Sequence, residues 1–146
     1  MMVTVAIVAI LATMVLPMVE MTMQRNREQE LHTALRQIRE AIDNYKKAAD
    51  QGKIKTASDE SGYPKTLESL AEGVEDVKSP TKAKIYFLRR IPRDPMNQDP
   101  QIPAAETWGK RSYESPPDEP QEGDDVYDVY SLSPRTGLNG VPYKEW

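Results

Sequence analysis

Residues 1–20 read MMVTVAIVAILATMVLPMVE, an apolar run in which no charged side chain occurs before Glu20. At a rise of 1.5 Å per residue, nineteen helical residues extend about 28 Å, close to the thickness of a hydrocarbon core. No Lys or Arg precedes the run and no A-x-A-like triplet closes it, which is unlike a secretory signal peptide. The run also lacks the polar face of a soluble helix. We therefore expect a membrane helix in which Pro17 is tolerated as a kink.

The helical pattern continues beyond the apolar run. Residues 20–51 contain no Pro and no Gly, and Gly52 follows as a predicted C-cap of one helix of about 51 residues. Apolar side chains recur there at spacings of four and three and predict a stripe formed by Leu31, Leu35, Ile38, Ile42 and Tyr45. The stripe is two heptads long, which favours packing on the chain's own domain over a coiled coil. On the solvated face, the spacing of Arg39 and Asp43 predicts an ion pair.

The remaining chain predicts short elements. Ten of the twelve prolines of the full chain lie from Pro80 onward, which excludes long helices from that half. We expect a short helix over residues 66–71 capped by Thr66, and a strand or helical turn over residues 84–88. RSYE (111–114) and DVYDVYSL (125–132) are the best strand candidates. The predicted fold class is α+β, with a small antiparallel sheet covered by the apolar stripe of the helix.

Composition excludes several classes of function. The net charge is −4 and no basic stripe with interleaved aromatic residues occurs, so nucleic acid is not an expected partner. The chain has no cysteine and therefore no disulfide or thiolate metal site. His32 is the single histidine and lacks ligands at metal-binding spacing, and no G-x-S-x-G or H-E-x-x-H motif occurs. We expect neither an enzyme nor a resident cofactor.

One acidic stretch allows a metal-binding interpretation. PPDEPQEGDDVYD (116–128) supplies carboxylates of the kind that calcium prefers, with Asp124, Asp125 and Asp128 as candidate ligands. A solvated acidic loop is the other interpretation of the same stretch.

Segments spread over nearly the whole chain share the pattern of one known family. MVTVAIVAILATMVLP (2–17) is similar to the inner part of a signature in which GFTLIEL precedes a Val/Ile/Ala-rich run that ends in proline. YFLRRIPRDP (86–95) is similar to the family's YLKKLPKDP step, and GYPKTLESL, TWGKRSY and DVYDVYSLS match the segments around it. The chain thus resembles the pseudopilins of type II secretion, within the type IV pilin superfamily, and above all the major pseudopilin. The tail GLNGVPYKEW departs from this pattern, and the loop SPRTGLNG lacks the carboxylates of the family's calcium site.

The resemblance implies a pilin-like α+β fold in which the C-terminal half of one long helix packs on a small antiparallel sheet with long loops. Residues 1–22 would form the transmembrane or filament-core half of the helix, and residues 23–52 its amphipathic half. Residues 53–146 would form a periplasmic globular region that packs on residues 31–45. The assembly residues of the apolar half would be Val3, Ile7, Ile10, Met14 and Pro17.

The resemblance also implies a function. The chain would be a structural subunit that polymerises through its apolar helix into a periplasmic filament driving protein export. Its partners would be other copies of itself, other pseudopilins, the inner-membrane assembly platform and the prepilin peptidase that cleaves the precursor before methylation. It would lie in the bacterial inner membrane as a single-pass protein with its globular region in the periplasm. Arg25 and Arg27 alone would favour the opposite orientation.

Two alternatives and one question about the start accompany this interpretation. The chain can also be interpreted as a minor type IV pilin, or as a membrane-anchored binding module that does not polymerise. Aligned on Pro17, Met1 falls on the last Leu of GFTLIEL, and a leucine codon such as TTG can start translation as Met. We therefore expect GFTLIE-like codons and a basic leader in the DNA upstream of residue 1.

Overall fold

A computed structural model describes the backbone of residues 2–146 and the side chains of residues 7–9 and 17–146. Its first element is helix α1, Met2–Asp50, which has 49 residues and is therefore about 74 Å long. Pro17 lies inside α1 with an exposed side chain, and the helix continues on both sides of it. The predicted long N-terminal helix is confirmed.

Helix α1 ends where the sequence places its cap. Gly52 adopts a φ of 75°, a left-handed conformation that favours glycine. The Gly52 N–H donates to the carbonyl of Ala49 and the Lys53 N–H to that of Ala48, both at 3.0 Å. These two bonds form a Schellman motif, so the predicted C-cap is confirmed.

The elements after α1 are short. They are helix α2 (Glu68–Glu72), strands β1 (Val74–Glu75), β2 (Lys84–Ile85), β3 (Trp108–Arg111) and β4 (Asp128–Ser131), and 3-10 turns at Ala104–Thr107 and Tyr143–Glu145. Strands β1 and β2 pair antiparallel, as do β3 and β4. The α+β class is confirmed, but the strands form two separate two-stranded sheets and not the one sheet expected. Helix α2 begins at Glu68, two residues later than predicted, with Leu67 at its N-cap position. The Thr66 Oγ1 still accepts a hydrogen bond from the Ser69 N–H at 3.2 Å.

The core lies between α1 and the β3–β4 sheet. Trp108 and Val129 are fully buried there, and Leu67 and Leu70, directly before and within α2, add to the core. The stripe on α1 lies in the same cluster, with exposed fractions of 8% or less at Leu31, Leu35, Ile38, Ile42 and Tyr45. The small sheet is therefore supported by a helix, as its size requires.

One predicted strand is displaced. β3 begins at Trp108, opposite Ser131, and ends at Arg111, so the strand predicted at residues 111–114 is mostly wrong. The next two backbone amides are held elsewhere: the Ser112 N–H donates to the carbonyl of Gln121, and the Tyr113 N–H to the Asp125 carboxylate, both at 2.9 Å. After Arg111, hydrogen bonds to residues of the following loop therefore replace the hydrogen bonds between strands β3 and β4.

The ion pair predicted within α1 is also wrong. The Arg39 Nε lies 2.8 Å from the Asp128 Oδ1 and not on Asp43. The same guanidinium donates to the carbonyls of Val129 and Trp146, each at 3.1 Å. The planar guanidinium is stabilised more by donating to three fixed acceptors than by pairing with one exposed carboxylate on the same helix.

The expected localisation as a single-pass inner-membrane protein with a periplasmic globular region is contradicted. Among the residues that the structure describes, no helix combines the length and the apolar character needed to cross a bilayer. The apolar side chains described at residues 7–9 and 17–19 form two short groups, and charges follow from Glu20 onward. Of the predicted assembly residues, the side chains of Val3, Ile10 and Met14 lie outside the described residues.

Candidate functional site

The N-terminal half of α1 exposes large apolar side chains. Their exposed fractions are 54% at Ile7, 61% at Val8, 68% at Met18, 49% at Val19, 46% at Met21 and 50% at Met23. The stripe further along the same helix is buried in the core. Clusters of exposed apolar side chains mark interaction sites. We call the described residues 7–9 and 17–23, which carry these exposed side chains, the apolar half of α1.

The C-terminal tail clasps α1 where the apolar half ends. The Glu28 Oε1 accepts hydrogen bonds from the Leu138 N–H and from the Tyr143 hydroxyl, both at 2.8 Å. The Gln24 Nε2 donates to the same hydroxyl at 2.9 Å. Glu28 and Tyr143 are buried, and burial raises the pKa of the Tyr143 phenol, with the nearby Glu28 carboxylate adding to the effect. We call these hydrogen bonds of Gln24 and Glu28 with Leu138 and Tyr143 the tail clasp. The tail clasp fixes the point at which α1 leaves the globular region.

The tail also covers the single histidine. The His32 ring stacks on the Trp146 indole with 4.3 Å between ring centroids, and Trp146 packs edge-on against Tyr143. The indole Nε1 donates to the carbonyl of Val141 at 3.1 Å. His32 therefore lies against an aromatic ring in the contacts that hold the tail to the helix.

The segment RRIPRDP contributes a buried carboxylate that sequence reasoning did not single out. Asp94 is 1% exposed, and its two oxygens accept from the Met96 N–H at 2.9 Å and from the Ser131 hydroxyl at 2.6 Å. The Asp94 N–H donates to the Thr107 Oγ1 at 3.0 Å. An Asp-Pro pair is a turn signal, but the partners 13 and 37 positions away could not be read from it. Asp94 joins this turn to strand β4.

The structure does not bring the three calcium candidates together. The Asp125 carboxylate accepts from the Ser61 hydroxyl and the Tyr113 N–H, whereas Asp128 pairs with Arg39. Asp124 is exposed. Within the described part of the chain, no group of three or more His, Cys, Asp or Glu side chains is placed to hold a metal ion.

Comparison of the chain with protein-family models, with curated proteins and with solved structures gives no match. The exposed apolar half of α1, its junction with the globular region and the sequence resemblance are therefore the grounds for a functional proposal.

Proposed function

We propose that the chain is a pseudopilin-like structural subunit and not an enzyme, which polymerises through the apolar half of α1 into a helical filament of a type II secretion system. The observation that carries the proposal is the contrast within one helix. Its C-terminal half is built into the core of the globular region, whereas the described part of its N-terminal half exposes large apolar side chains at residues 7, 8, 18, 19, 21 and 23.

Burial of the apolar half supplies a driving force for assembly. Fully burying one such aliphatic or methionine side chain is worth about 1.5–3 kcal/mol. A bundle of the same helix from several copies buries these side chains against one another. When copies associate head to tail through a rotation that does not close, they form an open helical filament.

The tail clasp suits this role. Gln24 and Glu28 hold the tail directly after Met23, the last exposed apolar residue described on this half. The Arg39 contacts to Asp128 and Trp146 add a second attachment further along α1. A subunit fixed to its helix at two points positions the globular region relative to the filament core.

The resemblance supplies the remaining terms of the proposal. It links the apolar run ending at Pro17 and the RRIPRDP step to the major pseudopilin. We accordingly propose other pseudopilins, an assembly platform and a prepilin peptidase as partners.

Charging the apolar half tests the proposal. We expect Ile7→Asp to abolish filaments when the chain is overproduced in its native host and inspected by electron microscopy. Leu132→Asp is the matched control, because Leu132 is 55% exposed, close to the 54% of Ile7, but lies on the globular region. The control should assemble normally. Filaments of normal length and number from the Ile7 variant would refute the proposal.

A further inference from the structure

A groove runs along one side of α1, between the helix and residues 87–95. It consists of two adjoining hollows of about 650 and 790 Å³ that share Gln37, Pro92 and Arg93. Its helix wall extends from Asn26 to Asn44. We call this feature the arginine groove.

The facing wall of the groove is cationic. Arg89 and Arg90 are exposed on it, and within the described residues neither forms an ion pair. Arg93 is held in place by donating to the carbonyls of Asp99 and Ile102. Glu30 and Glu40 lie on the helix wall and reduce the positive charge without cancelling it. The groove thus offers two guanidinium groups to a carboxylate-bearing partner.

The same chain carries a segment of opposite charge. We call residues 113–124 the acidic loop; no Lys or Arg occurs between residues 112 and 134. In the described structure, its exposed acidic side chains also lack ion-pair partners. They are Glu114, Asp118, Glu119, Glu122 and Asp124.

The acidic loop is shaped as a projection. Its base is closed by the Ser112 N–H, which donates to the Gln121 carbonyl at 2.9 Å, and by the Gln121 N–H, which donates to the Ser115 hydroxyl at 3.3 Å. Between them lies PPDEP, in which the backbone turns at Pro117 and Asp118. Asp118 and Glu119 therefore occupy the exposed tip.

The loop and the groove lie on opposite flanks of α1. Asn44 lines the groove, whereas Lys46, two residues on and about 200° around the helix, places its ammonium 5.6 Å from the Tyr63 ring centroid. Tyr63 stacks on Tyr113, where the acidic loop begins. The loop therefore faces away from the groove of its own chain.

We propose that the acidic loop of one copy docks into the arginine groove of the next copy, with Asp118 and Glu119 against Arg89 and Arg90. The inference rests on the proposed function and adds to it a second contact, between globular regions, that sets their register. Two different surfaces on opposite flanks make this contact heterologous, as an open filament requires. Opposite charges steer the encounter and fix the register.

Cross-linking tests the contact, because the chain has no native cysteine. Two differently tagged full chains, one carrying Arg90→Cys and the other Asp118→Cys, are produced together in the native host and oxidised. We expect a disulfide-linked dimer that contains both tags, and filaments in the same cells. Filaments without this dimer would overturn the docking contact and leave the proposed function standing. Absence of both would overturn both proposals.

Charge exchange supplies an independent readout. We expect Arg90→Glu to lower filament yield about tenfold, since like charges then face each other. Adding Asp118→Lys in the same chain should restore the yield. Lys55→Glu, an equal charge change on an exposed residue that does not line the groove, is the control and should have little effect. Equal yields from the Arg90 variant and this control would overturn the inference, as would capture of an acidic peptide from another protein in place of the loop.

Discussion

Removing one hydroxyl from the tail clasp tests how the globular region holds α1. Tyr143→Phe keeps the ring, which is fully buried, and removes the oxygen that joins Gln24 to Glu28. The Glu28 carboxylate then loses one of its two bonds of 2.8 Å. A hydrogen bond to a charged group is worth about 1.5–3 kcal/mol. We expect the free energy of unfolding to fall by that amount.

Equilibrium urea unfolding of the full chain measures this loss as a shift in midpoint at constant slope. Tyr86→Phe is the matched control, because Tyr86 is 62% exposed, and it should change stability by less than about 0.5 kcal/mol. A double-mutant cycle with Glu28→Gln assigns the loss to the pair. If Tyr143→Phe is no more destabilising than the control, or if the cycle gives no coupling, the clasp does not hold the tail as described.

Three further results are expected from the core and its ionisable groups. Ile38→Asp places an unpaired charge at a fully buried site and should unfold the globular region, whereas Ile38→Val should cost about 0.5–1.5 kcal/mol; circular dichroism showing a folded Asp variant of normal Tm would contradict this. Asp94→Ala strands the Ser131 hydroxyl and should cost about 2–5 kcal/mol, more than Asp94→Asn; equal losses in urea unfolding would count against the role assigned to both oxygens. Burial raises the pKa of Tyr45 and of Tyr143, so their stabilising contributions are complete below pH 10 and are lost as the pH rises from there towards the folded-state values; an unfolding free energy that stays flat from pH 9 to pH 11.5 would refute this.

The local features of the fold were predictable from the sequence. The helix, its stripe and its cap at Gly52 follow from periodicity and from the conformational freedom of glycine, which depend on neighbouring residues only. The Thr66 hydrogen bond is local in the same sense. Each such feature involves residues three to five positions apart.

The predictions that were wrong concern contacts between residues far apart in the sequence. Arg39 stands at the right spacing for Asp43, yet its guanidinium donates to the carboxylate of Asp128, 89 positions away. It also donates to the backbone carbonyls of Val129 and Trp146. Strand β3 ends at Arg111, earlier than predicted, because the backbone N–H of Tyr113 donates to the carboxylate of Asp125 in the following loop. The two sheets are separate and small, with two residues in each strand of one sheet and four in each strand of the other. Pattern reasoning cannot rank contacts of such separation.

The candidate site also combines features that the sequence predicts with contacts that it does not predict. That the first half of α1 is apolar is evident from the sequence, whereas the tail clasp on Glu28 and the buried Asp94 depend on residues more than 30 positions apart. The sequence of the tail differs from that of the pseudopilins that the chain resembles. This difference was the one sequence feature that distinguished the tail before its contacts with α1 were known. Its aromatic residues, Tyr143 and Trp146, are the ones that contact α1.

A reconstruction of the assembled filament by electron cryomicroscopy tests whether the apolar half of α1 forms the filament core. We expect a central bundle in which Ile7, Val8 and Met18 of each copy are buried against neighbouring α1 helices, with the globular regions outside. A filament in which these side chains remain exposed, held together by globular regions alone, would contradict this expectation.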